Sequence, residues 1–276
     1  MAAAGPIIIQ TPGGMEIKGR RRFTDPKGFD IMLTDLQTRL TQQMDQAKNV
    51  VIADLDLSQN KLSLEQWESL FETLNVAAIR VQRFRLFGCA TLNDDVMRII
   101  GDYLRHRITA ETAPSEMHLS DCAITSLGLQ ELTSALEETD VYPIPNQSSA
   151  GKGWPLYLRL ENNYIDESLI QEKVDAGVIA PFTKRLGAQM SDVQGGAKIN
   201  LVVMNENGGY QQRQGAPPAP GAAPPPKRIN DRYQQELDQK QMMQMGGQQG
   251  WGQQQSWGQQ QSWGQQQQGW GQQQSW

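Results

Sequence analysis

Hydrophobic and polar positions alternate along this chain in short bursts of the same shape. Leu55, Leu57 and Leu62 frame Asp56 and Asn60. Phe84, Leu86 and Leu92 frame Arg85 and Cys89. Met117, Leu119 and Ile124 frame His118 and Cys122, and Leu158, Leu160 and Ile165 frame Arg159 and Asn163. Alternation over three residues places the aliphatic side chains on one face of a short strand and the polar ones on the other. The Asn or Cys that follows stands where the chain turns out of the strand. A small polar side chain there satisfies backbone groups that a buried turn would strand. Cys suits the same place as a small hydrophobe with a weak donor.

Each burst leads into a helical pattern. Ser63 with Gln66 reads as a capping box, followed by Leu64, Trp67, Leu70, Phe71 and Leu74 on one helical face. Asn93 precedes Val96, Ile99, Ile100, Tyr103 and Leu104. Thr125 to Gly128 precedes Leu129, Leu132 and Leu136. Ser168, Leu169, Ile170, Val174 and Val178 make a fourth pattern. Ile199, Leu201 and Val203 alternate as a last strand, with Met204 where the Asn would be. Phe29, Leu33, Leu36, Leu40 and Met44 predict a helix over 29–48, ahead of the first strand. A β-α unit of this size cannot bury its apolar face alone, whereas stacked units can.

This pattern resembles the leucine-rich repeats of the ribonuclease-inhibitor type. The run from Met117 to Leu132 matches best: strand, ladder Cys122, Thr125 after the last aliphatic, then Gly128 and Leu132 on the helix. The resemblance covers about residues 50–204. It implies an α/β fold, a short right-handed β-α solenoid with a parallel sheet on its concave side and helices outside. Helix 29–48 is the natural cap of its first end. Ladder positions 60, 89, 122 and 163 are 29, 33 and 41 residues apart. The first gap fits the family; the longer two require insertions, for which Ile108–Ser115 and Thr139–Trp154 have turn-forming composition.

Composition divides the 276 residues further. Residues 1–28 read as a flexible arm, 29–204 as the repeat domain, and 205–245 as a Pro-rich linker in which Ile229, Tyr233 and Leu237 suggest a short helix. From 246 to 276 only Gly, Gln, Ser and Trp occur, which predicts disorder. Trp251, Trp257, Trp263, Trp270 and Trp276 recur nearly every six residues. Such stickers on a polar spacer favour weak multivalent self-association, and Trp also stacks on unpaired bases. Cys89 and Cys122 read as reduced ladder thiols, which suits the cytoplasm or nucleus. No run approaches the ~20 apolar residues of a membrane span, and the N-terminus is a poor secretion signal.

No catalytic motif stands out, and no Cys/His spacing suits a metal, so neither an enzyme nor a cofactor is expected. Stacked in register, the outward strand positions read Asp54, Arg83, Glu116, Tyr157 and Asp56, Arg85, His118, Arg159. Opposite charges side by side on a sheet contribute roughly 0.2–1 kcal/mol per pair, so these residues either satisfy one another or form a partner site. That site is Arg83, Arg85, Phe87, His118, Tyr157 and Arg159, rich in the Arg and Tyr of binding hot spots. Interleaved acids suit it to a protein better than to a phosphate backbone. The functional expectation is a protein-protein interaction adaptor with an assembling tail. The alternative is an RNA-associated factor using the tail and the basic arm Lys18, Arg20, Arg21 and Arg22.

Overall fold

Strands form where the alternation predicts them, and they pair with one another. The computed structural model describes residues 5–45, 49–76, 78–145, 153–183, 196–203 and 209–219. Strands β1 (Ile8–Thr11) and β2 (Gly14–Lys18) precede helix α1 (Pro26–Met44). Then come β3 (Val50–Asp56), α2 (Leu64–Leu74), β4 (Ile79–Val81), β5 (Arg83–Arg85), α3 (Asp94–His106), β6 (Glu116–His118) and α4 (Ser126–Glu138). The hairpin strands β7 (Ile144–Pro145) and β8 (Gly153–Trp154) lead to β9 (Leu156–Arg159), α5 (Glu167–Asp175), β10 (Ile179–Thr183) and β11 (Ile199–Val203). The fold is mixed α/β, with five helices among the described residues and no closed barrel. Its main sheet runs β1-β2-β3-β5-β6-β9-β11-β10, with β4 also on β3. Every pairing in it is parallel except β1 with β2. The chain divides into two units, Met1–Pro224 and Pro225–Trp276. The second, with all five tail tryptophans and the expected short helix, lies outside the described residues.

Strand register reproduces the spacing of the turn residues. Leu55 lies opposite Phe84, Phe84 opposite Met117, and Met117 opposite Leu158, offsets of 29, 33 and 41 that equal the gaps between positions 60, 89, 122 and 163. The inward row is buried throughout: Leu55, Leu57, Phe84, Leu86, Met117, Leu119, Leu158 and Leu160 are each at most 1 % exposed. Beyond it the turn residues form a hydrogen-bonded ladder, each reaching the carbonyl of the preceding strand. Asn60 Nδ2 donates to Gly19 O at 2.9 Å, Cys89 Sγ to Leu57 O at 3.4 Å, Cys122 Sγ to Leu86 O at 3.4 Å, and Asn163 Nδ2 to Leu119 O at 2.8 Å. Burial pushes the Cys89 thiol up to about 12 and the Cys122 thiol well above its ordinary value, which keeps both as S–H donors.

The helices follow from their caps and apolar faces. Asp25 caps α1 with Pro26 in its first turn, Ser63 and Gln66 close the capping box on α2, and Asn93, Thr125 and Asp166 cap α3, α4 and α5. Trp67, Leu70, Phe71, Ile100, Leu104, Leu129 and Leu132 point inward and join one core with the strand aliphatics.

Three expectations need correction. Of the expected arm 1–28, the described residues 5–28 are not loose: β1 and β2 form a hairpin, and β2 extends the sheet beside β3. Ile17 lies opposite Leu55, and the left-handed turn residues Arg21 (φ 56°) and Gln59 (φ 60°) stand at the same offset of 38. The basic residues 18–22 are therefore held at the end of β2, where Lys18 N donates to Ile7 O, and Gly19 N and Arg21 N donate to Asp56 O and Ser58 O. Secondly, the fourth helical pattern stops at Asp175, short of Val178, and β10 follows it as the edge strand; the expected last strand forms as β11, between β9 and β10. Thirdly, within the expected linker 205–245 the described residues 209–219 include a stretch packed on the sheet. Met204 lies outside the described residues, and the next rung of the ladder is Gln212, whose Nε2 donates to Leu160 O at 3.1 Å. Gln211 (φ 56°) repeats the left-handed turn of Gln59, Gly88, Asp121 and Asn162, and its carbonyl accepts from Asn162 N at 2.8 Å.

Candidate functional site

The five helices pack on the face that carries the inward aliphatic row. The opposite face carries the alternate strand residues, and there the expected site residues come together. Arg83, Glu116 and Tyr157 lie side by side on adjacent strands, as do Asp56, Arg85, His118 and Arg159. Phe87 follows β5, with the Arg20 guanidinium 5.1 Å above its ring.

These charges are already partnered. Arg83 Nε donates to Glu116 Oε2 at 2.6 Å and its Nη2 to Oε1 at 3.2 Å, a bidentate pair. Arg85 Nη2 lies 3.0 Å from Asp54 Oδ2. Arg159 Nε donates to Glu161 Oε1 at 2.9 Å. His118 Nε2 is 3.4 Å from Glu116 Oε2, and its ring is tilted against Tyr157 with centroids 5.8 Å apart. The His118 imidazole and the Arg83 guanidinium together hold the Glu116 carboxyl down at about 2. Burial instead raises Asp54, outweighing the nearby Arg85 and Arg83. The charges of the central rows are thus paired among themselves, while Asp54 Oδ1, Arg85 Nε and Glu161 Oε2 stay buried without a hydrogen-bond partner.

At the N-terminal margin of the same face the surface opens into a cavity of about 780 Å³, within the size range of ligand sites, roughly 300–1,000 Å³. Val51 and Arg80 form part of its floor, facing each other across β3 and β4. Its walls are the two insertions that lengthen the spacing to 33 and 41. Residues Ala110–Thr112 and Ser115 supply one side, and Ile144, Pro145 and Trp154 of the β7–β8 hairpin supply the other. The walls are tied together. The buried Tyr142 hydroxyl donates to Pro114 O, and Lys198 Nζ donates to Thr139 O at 3.0 Å and Tyr142 O at 3.1 Å. Ser115 Oγ and N both donate to Gln82 O, fixing the first insertion to the floor. Gly153 lets the hairpin close on itself, since a Cβ there would come within 2.6 Å of the Pro143 Cβ.

Trp154 stands on this wall with half its surface exposed (51 %). The Arg80 side chain, which lines the same cavity, makes no ion pair or hydrogen bond among the described residues, and its buried Nε lacks a partner. Sequence reasoning located both insertions without seeing that they meet. The overlooked signal was that each lies ahead of its strand, at the same end of the sheet. The tail residues Trp251, Trp257, Trp263, Trp270 and Trp276 fall outside the described residues.

Compared with known proteins, the chain matches no family model and no curated protein. Among the described residues, no group of three His, Cys, Asp or Glu side chains clusters as a metal ion would need. No helix among them is long and apolar enough to cross a membrane.

Proposed function

We propose that this chain is a non-enzymatic protein-binding adaptor of the leucine-rich-repeat kind, a short right-handed β-α solenoid whose open sheet face receives the partner. Equal strand and turn offsets, the ladder from Asn60 to Asn163 and the line of capped helices support the solenoid reading. One observation carries the functional half: both departures from the 29-residue spacing fold into walls of a single cavity on the open face. Insertions in a stacked β-α array cost little stability and supply specific contacts where they converge. The outward rows, with their charges ion-paired, make a polar surface beside an apolar pocket, the anatomy of a protein interface.

The tail is the second half of this reading. Evenly spaced tryptophans on a Gln-rich spacer supply weak, multivalent self-association. The RNA-associated alternative draws less support, because Arg20 stacks on Phe87 and donates to Gln59 Oε1 at 3.0 Å rather than extending on a free arm.

The test is capture by the intact chain against Trp154→Ser, with Arg98→Glu on the exposed side of α3 as control. A partner that is lost with Trp154→Ser and kept with the control supports the adaptor reading, and equal capture by both rejects it. Replacing the five tail tryptophans with Ser abolishes concentration-dependent clustering if the tail drives assembly; unchanged clustering rejects that half.

A further inference from the structure

We propose that the cavity beneath Trp154 recognises an acidic linear peptide, one that sets a carboxylate on Arg80 and an aliphatic side chain against Trp154. The inference rests on the adaptor reading and names the chemistry of its partner. Charge complementarity selects the occupant. The open face holds four arginines on β4, β5 and β9. Three of them are matched within the fold: Arg83 by Glu116, Arg85 by Asp54, Arg159 by Glu161. Arg80 alone of the four forms no ion pair among the described residues; its Nε is buried without a partner, as is Arg85 Nε, but only Arg80 lines the cavity. Glu111 also lines the cavity, yet it forms no ion pair with Arg80.

A guanidinium with a buried, unpartnered Nε is costly to keep, because a buried donor without an acceptor forfeits its hydration. A ligand carboxylate removes that cost and gains a charge-assisted, directional contact. The remaining surface sets the rest of the ligand. Val51, Ile144, Pro145 and Pro155 line the same cavity as Trp154 and give it an apolar wall. Such a wall accepts an aliphatic or proline side chain one or two residues from the acid. Cavity size limits the contact to a few residues, so the ligand is an extended segment and not a folded surface.

The experiment is to pan a phage-displayed library of random dodecamers on the full-length chain and to synthesise the enriched peptides with a fluorescent label. Each is measured by anisotropy beside a twin carrying Gln for Glu, or Asn for Asp. The proposal expects an enriched acid next to an aliphatic residue. It expects the neutral twin to bind the native chain roughly tenfold more weakly or worse. Arg80→Gln should bind acid and neutral twin alike, while Arg80→Lys keeps part of the preference. The peptide-side comparison needs no protein variant, so poor folding of Arg80→Gln does not blunt it. Enrichment of neutral peptides, or equal binding of twins by the native chain, overturns the acidic assignment while leaving capture through Trp154 to decide the adaptor reading separately. A library that yields no binder overturns it as well.

Discussion

Asn163→Ala tests whether the ladder of turn side chains holds successive units together. Asn163 is fully buried. Its Nδ2 donates to Leu119 O at 2.8 Å and Leu160 O at 3.0 Å, and its Oδ1 accepts from Ile124 N at 3.3 Å. Leu160 O keeps a donor in Gln212. Alanine therefore leaves one carbonyl, Leu119 O, and one amide, Ile124 N, buried without partners. At about 1–3 kcal/mol for each orphaned group, the loss is about 2–6 kcal/mol. Cys122→Ala is the comparison. Its thiol is a weak donor at 3.4 Å and 3.5 Å, so the main loss is one buried sulfur and a small void, about 1–2 kcal/mol. Asn163→Asp should be worse than Ala at neutral pH, since a carboxylate facing two carbonyls accepts where donors are required. Urea unfolding with an unchanged slope reads all three. If Asn163→Ala costs no more than Cys122→Ala, the ladder is ornament on a stack held by its aliphatic rows alone.

Three further outcomes follow from particular contacts. Gly128→Ala places a Cβ 2.6 Å from Asp94 Oδ1 and 2.8 Å from Ile124 Cγ2. It disturbs a carboxylate that accepts from Thr125 N, Thr125 Oγ1 and Gly128 N, for a loss of about 1–3 kcal/mol by thermal or urea unfolding. Glu116 has its folded pKa depressed to about 2 from an ordinary 4.5. Its stabilising contribution is whole above the unfolded value and is lost as pH falls toward 2, so Glu116→Gln should flatten the acid limb of a stability-versus-pH curve between those limits. A chain ending at residue 204 should be less stable than one ending at 219 by about 2–4 kcal/mol. It lacks Gln212 on Leu160 O, Gln211 O on Asn162 N, and Arg213 on Asp121 and Tyr164; equal urea midpoints refute the capping role of 211–213.

How far the fold was legible depends on whether its signal was periodic. Leu57, Leu86, Leu119 and Leu160 could be placed because alternation and the turn residue recur together, and strand pairing then kept the same offsets. Capping residues were legible for a similar reason: Ser63 with Gln66 is a local motif whose geometry needs nothing distant. The hairpin β1–β2 was not, because Gly13, Gly14 and Gly19 read as breakers while the alternation of Met15 with Ile17 spans a single pair. Gln212 was invisible for a different reason. It occupies the rung that Asn or Cys takes elsewhere, with no leucine pattern around it and 49 residues after Asn163 rather than the 43 by which Leu201 follows Leu158. The row Asp56, Arg85, His118, Arg159 was legible from register, but not its internal pairing, which depends on rotamers. The cavity was hidden because two separate segments, 108–115 and 139–154, had to fold to the same margin.

Register has a consequence for where function can reside on this face. Once rows of opposite charge are stacked by the parallel sheet, each arginine finds its acid on the same or a neighbouring strand, as Arg85 finds Asp54 and Arg83 finds Glu116. A partner that took those arginines would first have to break a pair, returning much of what it gained. It follows that Arg85→Glu is a poor probe of binding: the new carboxylate faces Asp54 and destabilises the sheet whether or not a partner ever touches it. Arg80 is free of that ambiguity. It sits where the stacking has been interrupted by inserted loops, so no strand neighbour supplies its counter-charge, and replacing it would remove the proposed ligand contact without breaking an ion pair inside the fold. A variant that loses ligand while its unfolding midpoint stays within the scatter of the native chain therefore separates recognition from architecture, a separation that the paired arginines do not allow.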